Sequence, residues 1–367
     1  MKTRAAVVFE PNGPYTLTEV ELAPPREGEV LVRVAACGLC HTDEAARGGF
    51  METPFPMVLG HEGSGVVAAV GPGVADFRPG DRVGMSYGWC GRCPACRAGQ
   101  PYGCERNRAL NFSGLGYDGT SRLSLGGKPV STFFGQSAFA TYAVVHQNNL
   151  YPLPEDLPLR AAAPLGCGIQ TGAGAVLNYL KPAPGSSVVI TGCGVVGLSA
   201  VMAAKIAGCG RILCADKLPQ RLALARELGA TDLFGPETED LPAAVRAALG
   251  GRGADYSIDC TGSGACVRHS LNCLRALGVC VVLGATAELT IHVERELMGL
   301  GRSLVGLVEG CSVPRQFIPR LLEEWRRGRF PFDRLLSFYD FDDIRTAQAD
   351  ALAGKTVKSV LVMPEQN

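Results

Sequence analysis

Four cysteines crowd into fifteen residues of this 367-residue chain, and the residues between them are rich in Gly, Pro and Arg. They are Cys90, Cys93, Cys96 and Cys104. Four thiolates at this spacing can complete the tetrahedral shell of a structural zinc ion and leave no coordination position open. An iron–sulfur cluster and four unliganded thiols are the alternatives. We expect structural zinc, in a lobe over residues 88–106, because free thiols in an exposed loop would oxidise.

A glycine-rich turn predicts a dinucleotide site. Gly192, Gly194 and Gly197 follow the apolar stretch Ser187–Thr191 and precede an Ala-rich helical pattern. Such glycines allow a tight turn, close approach of the backbone to a pyrophosphate, and close packing of helix against strand. The helix N-terminus supplies free N–H groups for the phosphates. Asp216, 24 residues after the first Gly, ends the next strand and predicts NAD rather than NADP, since it would bind the ribose hydroxyls and repel a 2′-phosphate.

A second set of candidate metal ligands is spread along the chain. Cys40 follows a predicted strand, His61 follows a proline-rich stretch, and Cys167 lies between two glycines. Two Cys and one His with a fourth position open can hold a catalytic zinc ion. A buried His and scattered Cys are more often core residues, so spacing alone leaves both interpretations open.

The elements that must position these residues divide into two kinds. The first 160 residues predict short strands separated by Pro and Gly turns. From about residue 165, strands alternate with helices, which predicts βαβ units and a parallel sheet. The fold class is therefore α/β, a β-rich domain interrupted by a doubly wound one. The predicted strands are 187–191, 211–215, 254–259, 279–283 and 357–363, and the predicted helices are 198–208, 220–228, 266–276 and 314–328.

Composition excludes several function classes. Lys plus Arg equals 35 and Asp plus Glu equals 35, so the chain lacks the net positive charge of a general nucleic-acid binder. No stretch reaches the roughly 18 apolar residues of a membrane span, and no apolar run marks the N-terminus as a secretory signal. The 15 cysteines are an odd number in a long chain, which favours reduced thiols or metal ligands over a disulfide scaffold. We expect a cytoplasmic protein without nucleic-acid or membrane partners.

Taken together, these motifs resemble those of the zinc-dependent medium-chain alcohol dehydrogenases, over nearly the whole chain. The segments that carry the resemblance are CGLCHTD (37–43), GHEGSGVV (60–67), CGRCPACRAGQPYGC (90–104), GCGIQTGAG (166–174) and TGCGVVG (191–197). FFGQSAFATYA (133–143) is further similar to the aryl (benzyl) alcohol and geraniol dehydrogenase branch. The resemblance implies a GroES-like catalytic domain over 1–167 and 309–367, and a Rossmann coenzyme domain over 168–308. It also implies a homodimer or homotetramer.

The resemblance implies a role for each residue that matches a family motif. The catalytic zinc ligands are Cys40, His61 and Cys167. Around them, Glu62 would approach zinc during ligand exchange, Asp43 would orient the ligating His, and Thr42 would accept the substrate proton. The residues expected to contact NAD, besides the glycines and Asp216, are His41 and Lys358 at the pyrophosphate, Arg221 at the adenosine ribose, and Thr171 and Val196 at the nicotinamide.

The activity so implied uses two zinc ions per subunit and NAD. It is the reversible oxidation of a primary alcohol, of aryl or allylic type, to the aldehyde with hydride transfer to NAD. Candidate substrate-pocket residues are the aromatics Phe50, Phe55, Tyr87 and Trp89. Liver-type enzymes end their proton relay on a His three residues after the Thr, where this chain has Ala45. We therefore expect the proton to leave Thr42 through the ribose hydroxyls to water, or to His41.

Two other functions fit parts of the sequence. A thiol-adduct formaldehyde dehydrogenase shares both zinc sites and needs basic residues at the pocket mouth, for which Arg97, Arg106 and Arg108 are candidates. A non-enzymatic protein on the same scaffold is the alternative from another class, although it would not need the intact ligand set and glycine turn. A polyol substrate is disfavoured, since polyol dehydrogenases tend to carry Glu where this chain has Cys167.

Overall fold

A computed structural model describes residues 1–286 and 288–364. The chain packs into two compact units. The first unit comprises residues 1–167, 313–318 and 335–364, and the second comprises 168–312 and 319–334, apart from residue 287. Residues 319–334 thus pack with the second unit. The limits of a catalytic domain over 1–167 and 309–367, and of a coenzyme domain over 168–308, stay a prediction.

The first unit is rich in strands, and in the second unit strands alternate with helices. In chain order the strands are β1 (Lys2–Val8), β2 (Thr16–Leu22), β3 (Glu29–Gly38), β4 (Met57–Val58), β5 (Gly63–Val70), β6 (Arg82–Met85), β7 (Leu123–Leu125), β8 (Lys128–Thr132), β9 (Tyr142–His146), β10 (Leu150–Pro152), β11 (Ser187–Thr191), β12 (Arg211–Ala215), β13 (Asp232–Phe234), β14 (Ala254–Asp259), β15 (Leu274–Val282), β16 (Ser303–Gly306), β17 (Leu336–Asp340) and β18 (Lys358–Val362). The α-helices are α1 (His41–Arg47), α2 (Pro94–Arg97), α3 (Asn107–Asn111), α4 (Leu159–Ala162), α5 (Gly168–Gly174), α6 (Val195–Ile206), α7 (Pro219–Leu228), α8 (Leu241–Ala248), α9 (Gly264–Asn272), α10 (Pro314–Arg326) and α11 (Ile344–Leu352).

The first unit is built on two β-sheets. β1, β2, β7, β8 and β4 close into a barrel, and a second sheet has the order β10-β6-β5-β3-β18-β17, with β9 also paired to β3. Alternating and continuous apolar residues in β1 and β3 are buried against this core. Because β3 is central and ends at Gly38, it places the residues that follow it, from Cys40 onward, at the end of the sheet where its own C-terminus lies.

The second unit contains a six-stranded parallel sheet of order β13-β12-β11-β14-β15-β16. All five residues of β11 are buried, as a central parallel strand covered by helices on both faces requires. The strands predicted over 187–191, 211–215 and 254–259 are present with those limits. Together with the β-rich first unit, this sheet confirms the predicted α/β fold class.

The helix predicted over 266–276 is wrong in its last part. α9 ends at Asn272, where the Cys273 N–H donates to the His269 carbonyl, and β15 begins two residues later. Leu274 is buried and pairs with Ala254 across an irregular register. Local helix preference therefore gives way to a strand pairing that spans twenty residues of sequence.

α6 begins at Val195, three residues earlier than predicted. Gly194 has extended backbone, and its carbonyl accepts the first helical hydrogen bond from Leu198. The helix therefore starts inside the glycine-rich turn. Among the residues that the structure describes, no helix combines the length and the apolar character that a membrane crossing needs.

Candidate zinc and coenzyme sites

Four side chains of the first unit converge on one point. The ligand atoms of Cys40, His61, Glu62 and Cys167 all lie within 4.8 Å of one another. Cys40 is the residue before α1, the pair 61–62 lies between β4 and β5, and Cys167 follows a tight turn after α4. Thiolates, an imidazole and a carboxylate are the donors that zinc prefers, so this cluster fits a zinc ion. The three predicted ligands are thus brought together with their neighbouring acid.

Asp43 orients the imidazole of this cluster. Its carboxylate is fully buried and lies 3.0 Å from His61 Nδ1. Because a carboxylate can only accept, Nδ1 carries the proton and Nε2 is left as the metal-binding atom. Nε2 lies 3.3 Å from Cys167 Sγ. Burial raises the pKa of the Asp43 carboxyl, and the adjacent His61 opposes that rise.

Lys358 and Glu62 form a buried ion pair behind the ligands. Lys358 Nζ donates to Glu62 Oε1 and to the Leu39 carbonyl, each at 2.8 Å. Burial lowers the pKa of Lys358, but Glu62, Cys40 and Cys167 together outweigh it and raise that pKa above its ordinary value. Glu62 Oε2 has no hydrogen-bond partner among the residues that the structure describes. The structure thus commits the Lys358 ammonium to Glu62, and its expected contact with the pyrophosphate stays a prediction.

The predicted proton acceptor stands in the first turn of α1. Thr42 Oγ1 lies 3.6 Å from Cys40 Sγ, so the hydroxyl is beside a candidate ligand atom. His41 precedes it and is exposed, whereas Asp43 follows it and is buried. Ala45, one turn later, is partly buried. Of the two titratable neighbours of Thr42 in the chain, His41 is therefore the one with access to solvent.

Aromatic rings pack against the candidate ligand His61. The Phe134 ring stacks on its imidazole at 4.5 Å between centroids, and the Phe133 ring meets it edge-on at 5.7 Å. Phe112 in turn contacts both phenylalanine rings. In the sequence this Phe-Phe pair belongs to the segment that resembles the aryl alcohol and geraniol dehydrogenase branch, and nothing there predicts that it packs on His61. The one sequence feature that points to the pair is that two aromatic residues are adjacent.

The four aromatic residues predicted for the pocket are dispersed. Phe50 is exposed over 65% of its surface, and Tyr87 is buried in the core of the first unit. Phe55 packs at the edge of that core. Trp89 packs against the four-cysteine cluster, and its Nε1–H donates to the Asn148 carbonyl at 2.8 Å. The described contacts therefore do not gather them around His61, and their role in substrate binding stays a prediction.

The second cysteine cluster also has the geometry of a metal site. The sulfur atoms of Cys90, Cys93, Cys96 and Cys104 lie within 4.8 Å of one another. Hydrogen bonds from the backbone N–H groups of Cys96 and Glu105 lower the pKa of the Cys93 thiol to about 6. A thiol that ionises this readily is a suitable zinc ligand. The four donors fit a closed tetrahedral shell.

The glycine-rich turn of the second unit has the shape of a phosphate cradle. Gly192 adopts a φ of +88°, and a Cβ on Gly197 would lie 1.9 Å from the Gly192 carbonyl oxygen. A Cβ on Gly194 would meet nothing within 4 Å, so that side of the backbone faces open space at the start of α6. Tight packing on one side and access on the other are what a pyrophosphate requires.

Asp216 directly follows β12 and lies beside this turn. Its Oδ2 accepts from the Cys193 N–H at 2.6 Å, and its Oδ1 accepts from the Leu218 N–H at 2.8 Å. Arg221 follows in the first part of α7 and is partly buried. These contacts hold the carboxylate next to the glycines and leave lone pairs for ribose hydroxyls.

The two residues expected at the nicotinamide are close neighbours in the second unit. A Cβ on Gly172 would lie 1.9 Å from the Val196 carbonyl oxygen, so the backbone of α5 touches the first turn of α6. Thr171 is the residue before this contact point. The structure therefore places Thr171 and Val196 on adjoining turns.

Comparisons with known proteins agree with this architecture. The alcohol dehydrogenase GroES-like domain family matches residues 26–155, and the zinc-binding dehydrogenase family matches residues 195–324. A geraniol dehydrogenase from Castellaniella defragrans is 44% identical over 99% of this chain and 98% of its own. The crystal structure of benzyl alcohol dehydrogenase from Acinetobacter calcoaceticus is 40% identical, with a TM-score of 0.95 over 99% of this chain and 100% of that one. An S-(hydroxymethyl)glutathione dehydrogenase from Synechocystis is 37% identical over 98% of this chain and all of its own.

The chain therefore belongs to the zinc-dependent medium-chain alcohol dehydrogenase family. It is an oxidoreductase of the class that acts on small-molecule alcohols, and its cofactors are zinc and NAD. The two ligand clusters and the glycine-rich turn have the donor chemistry and the shape that these cofactors need.

Proposed function

We propose that this enzyme oxidises a primary aryl or allylic alcohol to its aldehyde, reversibly, with hydride transfer to NAD. The observation that carries the proposal is the aromatic packing on His61. Phe134 stacks on the imidazole and is almost completely buried, so the immediate surroundings of the candidate ligand are apolar and flat-sided. Aromatic faces favour offset or edge-on contact with another π-system. Similarity to a geraniol and a benzyl alcohol dehydrogenase supports the same substrate class.

Different residues of the first unit have different roles in activating the alcohol. Cys40, His61 and Cys167 would hold the catalytic zinc ion, which would supply Lewis-acid polarisation of the alcohol oxygen and so lower its pKa. The Thr42 hydroxyl would accept the alcohol proton, which would then reach solvent through the ribose hydroxyls of the coenzyme or through His41. Phe133 and Phe134 keep water away from one side of the imidazole.

The residues of the second unit hold the coenzyme that accepts the hydride. Gly192, Gly194 and Gly197 accommodate the pyrophosphate, and Asp216, with Arg221 nearby, binds the adenosine ribose. Two zinc ions per subunit, a homodimeric or homotetrameric assembly and a cytoplasmic location belong to the same proposal, and they are supported by the resemblance to the family.

The proposal is tested by NADH formation with benzyl alcohol, geraniol, ethanol, and formaldehyde plus glutathione. We expect kcat/KM for benzyl alcohol or geraniol to exceed that for ethanol by about 100-fold or more, because an apolar pocket gains binding with each buried group. Phe134→Leu should lower kcat/KM more for benzyl alcohol than for ethanol, because the loss of stacking on His61 affects both alcohols and the loss of an aromatic face affects only the aryl one. Phe50→Leu, at an exposed position, is the matched control. Equal rates with benzyl alcohol and ethanol would contradict the substrate class.

A second candidate function is oxidation of the formaldehyde–thiol adduct. It is favoured by the 37% identity to an S-(hydroxymethyl)glutathione dehydrogenase. Of the basic residues proposed to bind the thiol compound, Arg108 is exposed and pairs with Glu52 at 2.8 Å, Arg97 is also exposed, and Arg106 is partly buried. Turnover of formaldehyde only when glutathione is present, with no turnover of benzyl alcohol, would establish this function instead.

A further inference from the structure

A strained turn in the second unit carries a carboxylate toward the coenzyme residues. Glu309, Gly310 and Cys311 are consecutive and adopt φ values of +50°, +61° and +51°. Only glycine enters this region without steric cost. Two of the three residues are not glycine, so the surrounding structure must hold the turn in place. Strain of this kind is concentrated at functional sites.

The turn is held by α5. A Cβ on Gly310 would lie 2.4 Å from the Thr171 carbonyl oxygen and 2.8 Å from that of Gln170, so the two backbones are in direct contact. Ser312 Oγ donates to Gln170 Oε1 at 2.8 Å. Glu309 Oε2 accepts from Gln170 Nε2 at 3.1 Å and from Thr171 Oγ1 at 3.3 Å. The Glu309 carboxylate is thus tied to the side chain of Thr171.

The position of Thr171 relates this carboxylate to the coenzyme. Gly172, the next residue, touches the Val196 carbonyl in the first turn of α6, directly after the glycine-rich turn. Thr171 follows the candidate zinc ligand Cys167 by only four positions in the chain. Asp216, which directly follows β12, is by contrast expected to bind the ribose in the adenosine half of NAD. The proposed nicotinamide position and the Glu309 carboxylate are therefore both next to Thr171.

We propose that Glu309 strengthens the binding of NAD+ relative to that of NADH. The inference rests on the proposed function, since it requires nicotinamide beside Thr171. The nicotinamide ring of NAD+ carries a positive charge, which disappears when C4 receives the hydride, while the two coenzyme forms keep the same pyrophosphate and adenosine. A carboxylate near the ring attracts the oxidised form and gains nothing comparable from the reduced one. The charge therefore favours occupancy of the site by NAD+ when both coenzyme forms are present.

The test is the ratio of the dissociation constants of NAD+ and NADH for the zinc-loaded protein, without alcohol. NADH is titrated by its fluorescence, and NAD+ by competition with NADH. Glu309→Gln keeps the size of the side chain and an acceptor oxygen for Thr171 but removes the charge. We expect Kd(NAD+)/Kd(NADH) to rise about tenfold in this variant, as a unit charge at short range near a protein surface implies. Glu309→Asp, which retains the charge, should restore most of the wild-type ratio.

The matched control is Glu239→Gln, an identical loss of charge at an exposed position of the same unit. Its ratio should equal that of the wild type. If Glu309→Gln weakens NAD+ and NADH equally, the carboxylate only holds the turn, and the proposal is overturned. If wild-type protein binds neither form, the proposed function itself fails. Should Glu309→Gln not fold, Glu309→Met decides, because it removes the charge at a similar side-chain size: the ratio must again rise, and an unchanged ratio contradicts the proposal.

Discussion

At the scale of single residues, Asp43 accounts for much of the order in the candidate catalytic site. Oδ1 accepts from the Gly60 N–H and from the His61 ring, both at 3.0 Å, and Oδ2 accepts from the Cys40 N–H at 3.1 Å. One buried carboxylate therefore fixes the backbone of one ligand and the imidazole of another. Charge-assisted hydrogen bonds of this kind are about twice as strong as neutral ones.

Asp43→Asn should loosen the catalytic zinc without unfolding the protein. The amide lacks the charge and offers one acceptor oxygen where three donors now converge. We expect zinc release to a colorimetric chelator to become about 10- to 100-fold faster, the range found for partners of metal-ligating His. Asp342→Asn, which removes a surface pair with Arg4, is the control. Identical release rates in both variants would show that Asp43 does not orient the ligand.

His146 supplies a pH prediction away from the zinc ligands. Its ring stacks on Tyr117 at 3.7 Å, and Nδ1 accepts from the Asn148 N–H at 3.1 Å. Burial lowers the pKa of His146 to about 4, with Glu29 opposing and Arg315 adding to the effect. An unfolded His titrates near pH 6.5. Between these values the unfolded chain binds a proton that the folded chain does not, so this stabilisation is complete above pH 6.5 and declines as pH falls toward 4.

The expected observation is an imidazole that stays neutral down to about pH 5. It is measured by NMR titration of protein carrying 13C-labelled histidine, with His146→Gln to assign the signal. The variant should also lose less of its resistance to urea than the wild type between pH 7 and pH 5. A midpoint above pH 6 for His146 would contradict the prediction.

At the scale of elements, the helices at the four-cysteine lobe are too short to stabilise it. α2, within the lobe, has four residues, and α3, directly after it, has five, far below the length at which isolated helices persist. The apolar residues that pack on the cluster are few, with Leu110, Trp89 and Tyr117 the largest. Metal binding should therefore supply most of the order of this lobe, as it does in other small metal-bound domains.

Cys93→Ser should remove one zinc ion and open the lobe locally. Metal content should fall from about two equivalents to about one, since an incomplete thiolate shell binds zinc poorly. Hydrogen exchange should accelerate over residues 90–104 and remain slow in β3 and β11. Cys209→Ser, a partly buried thiol outside both clusters, is the control. Unchanged exchange and unchanged zinc content in the Cys93 variant would rule out a structural metal here.

At the scale of the whole molecule, the two halves of the proposed chemistry belong to different compact units. The candidate ligands of both zinc ions lie in the first unit, and the glycine-rich turn, Asp216 and Thr171 lie in the second. Because only His41 and Lys358 among the expected coenzyme contacts lie in the first unit, coenzyme binding should depend little on the metals.

Removing zinc with a chelator should abolish alcohol oxidation and leave NADH binding close to that of the loaded protein. Asp216→Ala provides the converse, with zinc content retained and NAD affinity reduced, because the carboxylate that holds the ribose is lost. Both proteins are compared by metal analysis and NADH fluorescence. Loss of NADH binding on chelation alone would show that the units do not act separately.

Much of the second unit could be predicted from local patterns. The segments predicted as strands at 187–191, 211–215 and 254–259 became β11, β12 and β14, and the first two have the nearly continuous apolar residues that central parallel strands need. The start of β15 could not be predicted in the same way. Leu274 has an apolar side chain that suits a helix or a strand, and its pairing with Ala254 decided between them.

The sequence by itself determined those groups whose members are neighbours along the chain. The four cysteines at 90–104 and the glycines at 192–197 must lie near one another because short spacing leaves them little freedom. Only the tertiary structure placed His61 against Phe134, and Lys358 against Glu62, a partner 296 residues away. Contacts between residues so far apart in the sequence depend on which strands pair and which turns they leave exposed. These are properties of the packed chain rather than of any one segment.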